Sequence, residues 1–149
     1  MYKRLLRSVR EYKKPTVLTF VFIVCEAVIE TFIPFLTADL VNRIKGGATP
    51  KDILATGILL IVMAAFSLSF GGLAGFTSAK ASAGFAKNLR SDMMKKIEGY
   101  SFENIDKFSS SSLVTRMTTD VSNVQMSYMT IIRTAIRSPL MFKIGRAHV

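Results

Sequence analysis

The longest interval of the chain without a charged residue runs from Ile53 to Ala79, between Asp52 and Lys80. A bilayer core of about 30 Å is crossed by about 20 apolar residues in a helix. A soluble helix of that length would keep one polar face, so the pattern predicts a transmembrane helix. The helical repeat does not stop at Lys80. Phe85, Leu89, Met93 and Ile97 recur at every fourth position, with Lys87, Arg90, Lys95 and Lys96 between them, which is one apolar stripe on a charged helix. No proline interrupts Ile53 to Ile97. At about 1.5 Å per residue such a helix is about 68 Å long. With its interfaces a bilayer takes roughly 40–45 Å, so about 25 Å of helix is expected to stand in water.

Thr16 to Val41 is also largely apolar, but it carries Glu26, Glu30 and Asp39. Glu26 and Glu30, four apart, share a helix face. A charge at mid-membrane costs at least about 2.5–3.5 kcal/mol, so both acids are expected to face a polar cavity or a partner rather than lipid. Pro15 suits a first helical turn. Pro34 cannot bond the carbonyl of Glu30 and is expected to bend the helix there. Gly46-Gly47 ends this span. Thr49, Pro50 and Asp52 then read as N-cap, first helical residue and acidic first turn of the next. In the second span Gly71 and Gly75 form a G-x-x-x-G that permits close helix approach.

The opening, MYKRLLRSVREYKKP, can place Tyr2, Leu5, Leu6 and Val9 on one face, with Lys3, Arg4, Arg7 and Arg10 around it. This suits a short amphipathic helix on a membrane surface. It is not a cleavable signal sequence, because the basic part is long, the apolar part is longer than a signal's, and no small-residue cleavage site follows. Beyond Ile97, Gly99 breaks the long helix, and Ser101 can cap a short one reaching Phe108 with Phe102, Ile105 and Phe108 on one side. After four serines a seam of Leu113, Met117, Val121, Val124, Tyr128, Ile131 and Ala135 predicts a third helix. Arg116 and Asp120 lie four apart on it and are placed to pair.

Charge orients this arrangement. The chain has 149 residues, half of them hydrophobic, and a formal net charge of +10. The basic residues crowd the N-terminal segment and Lys80 to Lys96, which assigns both to the cytoplasm and the loop Arg43 to Asp52 to the outside. The expectation is a multi-pass protein of the cell membrane with a cytoplasmic N-terminus. A basic chain also suits nucleic acid. The basic stretches lack the interleaved aromatics of a single-strand binder, so the expected anionic partner is membrane lipid and no nucleic acid. Cys25 is the single cysteine and forms no internal disulfide. With one histidine, one cysteine and scattered carboxylates, no constellation for nucleophilic, acid–base or metal catalysis is present. His148, alone at the chain end, is not read as a ligand.

The most specific stretch is Phe102-Glu-Asn-Ile-Asp-Lys-Phe108 followed by Leu113-Val-Thr-Arg116-Met-Thr-Thr-Asp120-Val121. It resembles the first intracellular loop of the ATP-binding-cassette (ABC) exporters, an F-x-x-x-x-x-F segment followed by L-x-x-R-x-x-x-D-V. Ser111 stands where that family often has glycine. The resemblance covers residues 1 to 142 and implies an all-α membrane protein. Its parts would be a surface elbow helix (1–14), a first span (15–45), an outer loop (46–52), a second span with its cytoplasmic extension (53–98), a loop with a coupling helix (99–112) and the start of a third helix (113–142). That is part of a six-helix exporter transmembrane domain. Residues 143–149 are expected to be an artefactual tail, since KIGRAHV is polar and resembles a sequencing adapter read in frame.

The resemblance further implies that Phe102, Asn104, Ile105, Asp106 and Phe108 form the coupling surface toward a nucleotide-binding domain and that Arg116 and Asp120 support the loop; Glu26 and Glu30 are then expected to face either the substrate pathway or a neighbouring helix. The intact protein would be an ATP-hydrolysing translocase for amphipathic or lipid-like substrates, using ATP and Mg and working with a second subunit as a homo- or heterodimer. This chain holds no G-x-x-x-x-G-K-[ST], so it cannot cradle ATP phosphates in the usual loop, and no cofactor is expected in it. The other reading is a self-sufficient two-span anchor whose basic cytoplasmic hairpin binds a protein or nucleic-acid partner.

Overall fold

The computed structural model describes residues 8–99 and 110–146, and within them every element is helical. A 3-10 turn, Arg10–Tyr12, leads into α1, Lys13–Lys45. α2 is Pro50–Glu98, 49 residues without interruption. The third rod begins with α3, Ser110–Thr115, passes through a π turn, Arg116–Asp120, and continues as α4, Val121–Arg146. The two apolar spans and the onset of a third are therefore as the periodicity predicts.

The starts of the helices are set by local chemistry. α1 begins at Lys13, ahead of Pro15, and remains helical through Pro34. α2 begins at Pro50, the expected first helical residue, with Thr49 at its cap: the Asp52 amide donates to Thr49 Oγ1 at 3.4 Å, and Thr49 Oγ1 donates to Asp52 Oδ2 at 2.6 Å. Between α1 and α2, Gly47 takes φ +73, a conformation open to glycine at little cost. The Gly46 and Ala48 amides close onto the carbonyls of Asn42 and Arg43 at 2.9 and 3.0 Å.

The chain forms two compact units, each built from more than one segment. The first comprises Met1–Val17 and Phe76–Ile132. Ser78, Ala81, Ser82, Phe85 and Asn88 are buried along one stripe of α2, at spacings of three and four. Phe85 stacks on Tyr128, ring centroids 4.6 Å apart, and the Tyr128 hydroxyl lies 3.0 Å from that of Thr16. Gly84 is where Tyr12 lies against α2, and a Cβ there would overlap the ring. The buried seam of the third rod runs through Val121 and then Ile132, 2% and 5% exposed, whereas Ile131 is 61% exposed. The expected step from Tyr128 to Ile131 is thus a step of four instead.

The segment before α1 is fastened to α2. Asn88 Nδ2 donates to the Ser8 carbonyl at 3.0 Å, Ser8 Oγ to Asp92 Oδ2 at 2.9 Å, and Arg10 Nη2 to Asp92 Oδ1 at 2.6 Å. Arg10 sits at φ 40, which costs an L side chain about 1–3 kcal/mol and persists only where its surroundings fix it. Asp92 supplies that fixing. Val9, on the expected apolar face of the elbow, is buried. Tyr2, Leu5 and Leu6 lie outside the described residues.

The second unit comprises Leu18–Gly75 and Arg133–Val149. Few of its side chains are buried, among them Ile23, Ala27, Ser67 and Ala74. Leu54, Ile61, Phe66, Leu68, Phe32 and Phe35 are instead more than half exposed. Helices with outward faces this apolar suit lipid or further helices, not water. Phe22 and Phe70 meet at 6.2 Å between centroids.

Candidate functional site

In the second unit the two acids of α1 meet a cation of α4. Arg137 Nη2 donates to both carboxylate oxygens of Glu30, at 3.1 and 3.0 Å, and Nη1 donates to Glu26 Oε1 at 3.3 Å. One guanidinium fork thus bridges two carboxylates one helical turn apart, a geometry that a planar five-donor group satisfies and an ammonium does not. The Glu26 side chain is 13% exposed and that of Glu30 30%. Gly71 of α2 lets Glu26 reach this position: a Cβ there would come within 2.8 Å of Glu26 Oε1. The first glycine of the G-x-x-x-G therefore makes room for a side chain of α1.

Glu26 and Glu30 also line an open cavity of about 410 Å³ with Ser67, Gly71, Gly72 and Arg133. Its charged and polar side chains are Glu26, Glu30, Ser67 and Arg133, set among Ile33, Ala64 and Leu68, so polar groups gather here on otherwise apolar helices. It can hold a molecule with a polar head and an apolar body. The acids were expected to face a pathway or a neighbouring helix. Their direct partner is the neighbouring helix, and the cavity opens beside them.

Arg137 was missed as a site residue. It stood in a stretch read only as the onset of a span. One signal pointed to it: Arg133 and Arg137 are four apart, as Glu26 and Glu30 are.

The other predicted residues fall elsewhere. Arg116 and Asp120 are the first and last residues of the π turn. The ion pairs among the described residues are Arg10–Asp92, Arg43–Asp39 and those of Arg137; Arg116–Asp120 is not one of them. A π turn brings i+5 over i, not i+4, which takes these two side chains out of the register that four-residue spacing assumes. Phe102, Asn104, Ile105, Asp106 and Phe108 lie outside the described residues. Among the described residues no group of three or more His, Cys, Asp and Glu is arranged to hold a metal ion.

A protein family described as the ABC transporter transmembrane region matches residues 16–146. An uncharacterized ABC transporter ATP-binding protein, YfiB of Bacillus subtilis (strain 168), is 27% identical over 143 residues, which is 96% of this chain. The chain spans 25% of that relative's length.

Proposed function

The chain belongs to the ABC transporter transmembrane region family, and from that premise we propose that it forms the first part of the membrane domain of an ATP-driven exporter in the cell membrane. The observation that carries this reading is α2. Its 49 residues make a rod of about 74 Å, about 30 Å longer than a bilayer with its interfaces is thick. The charge-free part, Ile53–Ala79, accounts for the crossing. The remainder carries exposed Lys80, Lys87, Lys95 and Lys96, the sign expected on the cytoplasmic side. A chain that leaves the membrane on one long rod and returns on another presents the intervening loop to a soluble partner.

That partner is a nucleotide-binding domain, contacted by Phe102, Asn104, Ile105, Asp106 and Phe108. The name of the Bacillus relative, an ATP-binding protein four times longer than the matched chain, supports a nucleotide domain in the intact protein. ATP and Mg²⁺ belong to that domain. The residues of this chain do not fit them, since no phosphate-cradling loop occurs in the sequence. The cavity beside Glu26 and Glu30 contributes to the pathway of an amphipathic or lipid-like substrate, completed by the remaining spans and by a second subunit.

Two measurements test this reading. In the intact protein, cysteines replacing Ala48 and Lys107 are expected to react with an impermeant reagent from outside and from inside respectively; the reverse pattern overturns the topology. In liposomes the intact protein is expected to move an amphipathic dye only when ATP is supplied. The purified 149-residue chain is expected to show no saturable ATP binding. Saturable binding by the chain alone would remove the division of labour proposed here.

A further inference from the structure

The π turn Arg116–Asp120 sits between the loop side and the span side of the third rod. The amide of Val121 passes over Met117 and bonds the carbonyls of Arg116 and Thr118. In an α-helix it would bond Met117, four residues back. The Met117 carbonyl is taken instead from outside the rod: Arg90 Nε of α2 donates to it at 3.2 Å. The same guanidinium donates through Nη2 to Ser122 Oγ at 3.2 Å, and Ser122 Oγ in turn donates to the Thr118 carbonyl at 2.8 Å. Arg90 therefore bonds the carbonyl that the extra residue of the π turn leaves without its usual amide.

We infer that Arg90 is a positioning residue that holds the third rod in its π register, and that releasing it lets the rod take an α register in which α3 is turned by one residue. The inference rests on the exporter reading, since it is the loop ahead of α3 that would be turned against a nucleotide-binding domain. Without Arg90, the Met117 carbonyl regains a partner when the Val121 amide returns to it, and the extra residue passes out toward the 99–109 segment. Each residue turns an α-helix by about 100° and advances it by about 1.5 Å, so α3 rotates by that step relative to α4. The hydroxyls along this rod suit both registers. Thr115 donates to the Ser111 carbonyl, and Thr118 to those of Val114 and Thr115, bonds that bend helices and hold carbonyls while amides exchange. π turns within α-helices are frequent at functional sites; here one separates the loop's lead-out from the span.

The test is a phase measurement on the intact transporter in membranes, in a background without other reactive cysteines. Single cysteines at each position from 110 to 115 are labelled with a water-soluble maleimide, and positions 124 to 128 serve as the reference on α4. In Arg90→Met the labelling maxima over 110–115 are expected to move by one residue against the reference. Arg90→Lys, which keeps a donor for the Met117 carbonyl, is expected to retain the parent phase. Deleting Thr119 removes the extra residue and closes the rod as an α-helix without turning α3, so it is expected to keep the parent phase, and adding Arg90→Met to the deletion then moves nothing. An unmoved phase in Arg90→Met overturns the inference, as does a moved phase when Arg90→Met is added to the deletion. If Arg90→Met does not accumulate, the deletion carrying Arg90→Met decides: it is expected to accumulate in the parent phase, because no carbonyl is then left over, and a failure to accumulate or a moved phase counts against the inference. The readout is side-chain accessibility, so a moved phase with unchanged ATP-driven transport would leave the register switch standing and remove the exporter reading of the loop.

Discussion

Replacing Arg137 with leucine is expected to destabilise the protein by about 2.5 kcal/mol, the cost of leaving a charge unpaired on a membrane-spanning helix. The present case has two acids on one base. Arg137 makes three donor contacts of 3.0–3.3 Å to Glu26 and Glu30, so one substitution strands both carboxylates. Each lies on a membrane-spanning helix, where an unpaired charge costs at least about 2.5–3.5 kcal/mol. Water entering the open cavity offsets part of this, which is why the sum of two stranded acids is not expected in full. The measurement is the thermal unfolding midpoint in lipid nanodiscs. The triple change Glu26→Gln, Glu30→Gln and Arg137→Leu is expected to recover most of the loss, because a neutral set carries no desolvated charge. Arg137→Lys is expected to fall between the parent and Arg137→Leu, since an ammonium cannot reproduce the bidentate fork. A single Arg137→Leu variant as stable as the parent, or a triple variant less stable than the single, would show that the pairing does not hold these helices.

Gly71 makes a related point about the small-residue pattern. An alanine there would press on Glu26 Oε1 from 2.8 Å. The carboxylate is the free end of a flexible side chain and can yield, but only by leaving its 3.3 Å contact with Arg137.

The spans were legible in the sequence because they rest on local quantities. A charge-free run, a helical period and the Thr49-Pro50-Lys51-Asp52 cap need no knowledge of distant residues. Contacts across 80 residues and more were not legible. Arg137 lies 107 to 111 positions from its acids, in a segment whose own pattern is only an apolar helix with two arginines. Asp92 is one acid in a stretch of basic residues with no local sign of a role, yet it binds Ser8 and Arg10 from 84 and 82 residues away. The π turn was invisible for a different reason. Its residues, Arg-Met-Thr-Thr-Asp, have no local signature, and the bond that fixes the register comes from Arg90 on another helix. The step from Ile131 to Ile132 follows from the same limit, since both are apolar and only packing decides which one is buried.

Substituting Phe108 with alanine in the intact transporter is expected to leave basal ATP hydrolysis in place while substrate stimulation of that hydrolysis, and transport, fall by about tenfold or more. The argument starts from the apolar spacing. Phe102, Ile105 and Phe108 recur at steps of three in a segment bounded by Gly99 and by the serines before Leu113, so the expected short helix capped at Ser101 would carry all three on one side. Each is worth about 1.5–3 kcal/mol when fully buried. A trio of that size is not left in water at the end of a hairpin formed by two long rods. The alternative burial is against the hairpin itself, and then Phe108→Ala would lower stability and leave coupling intact. Burial in a groove of the nucleotide domain predicts the opposite pattern. A tenfold loss corresponds to about 1.4 kcal/mol, close to the lower figure for one side chain, and Phe102→Ala with Phe108→Ala together should exceed either alone. Asn104 and Asp106, polar and flanking, would orient the helix at the rim of the groove, so Asp106→Asn is expected to have a smaller effect than either aromatic change. The rods leading to and from this loop are α2, uninterrupted over its 49 residues, and the third rod with its single π turn. In the proposed coupling, a displacement of the tip would enter α2 on one side and meet the π turn held by Arg90 on the other. If transport survives Phe102→Ala, Phe108→Ala and the double change, the tip is not the surface that couples the nucleotide domain to the spans, and the rods serve only to hold the hairpin together.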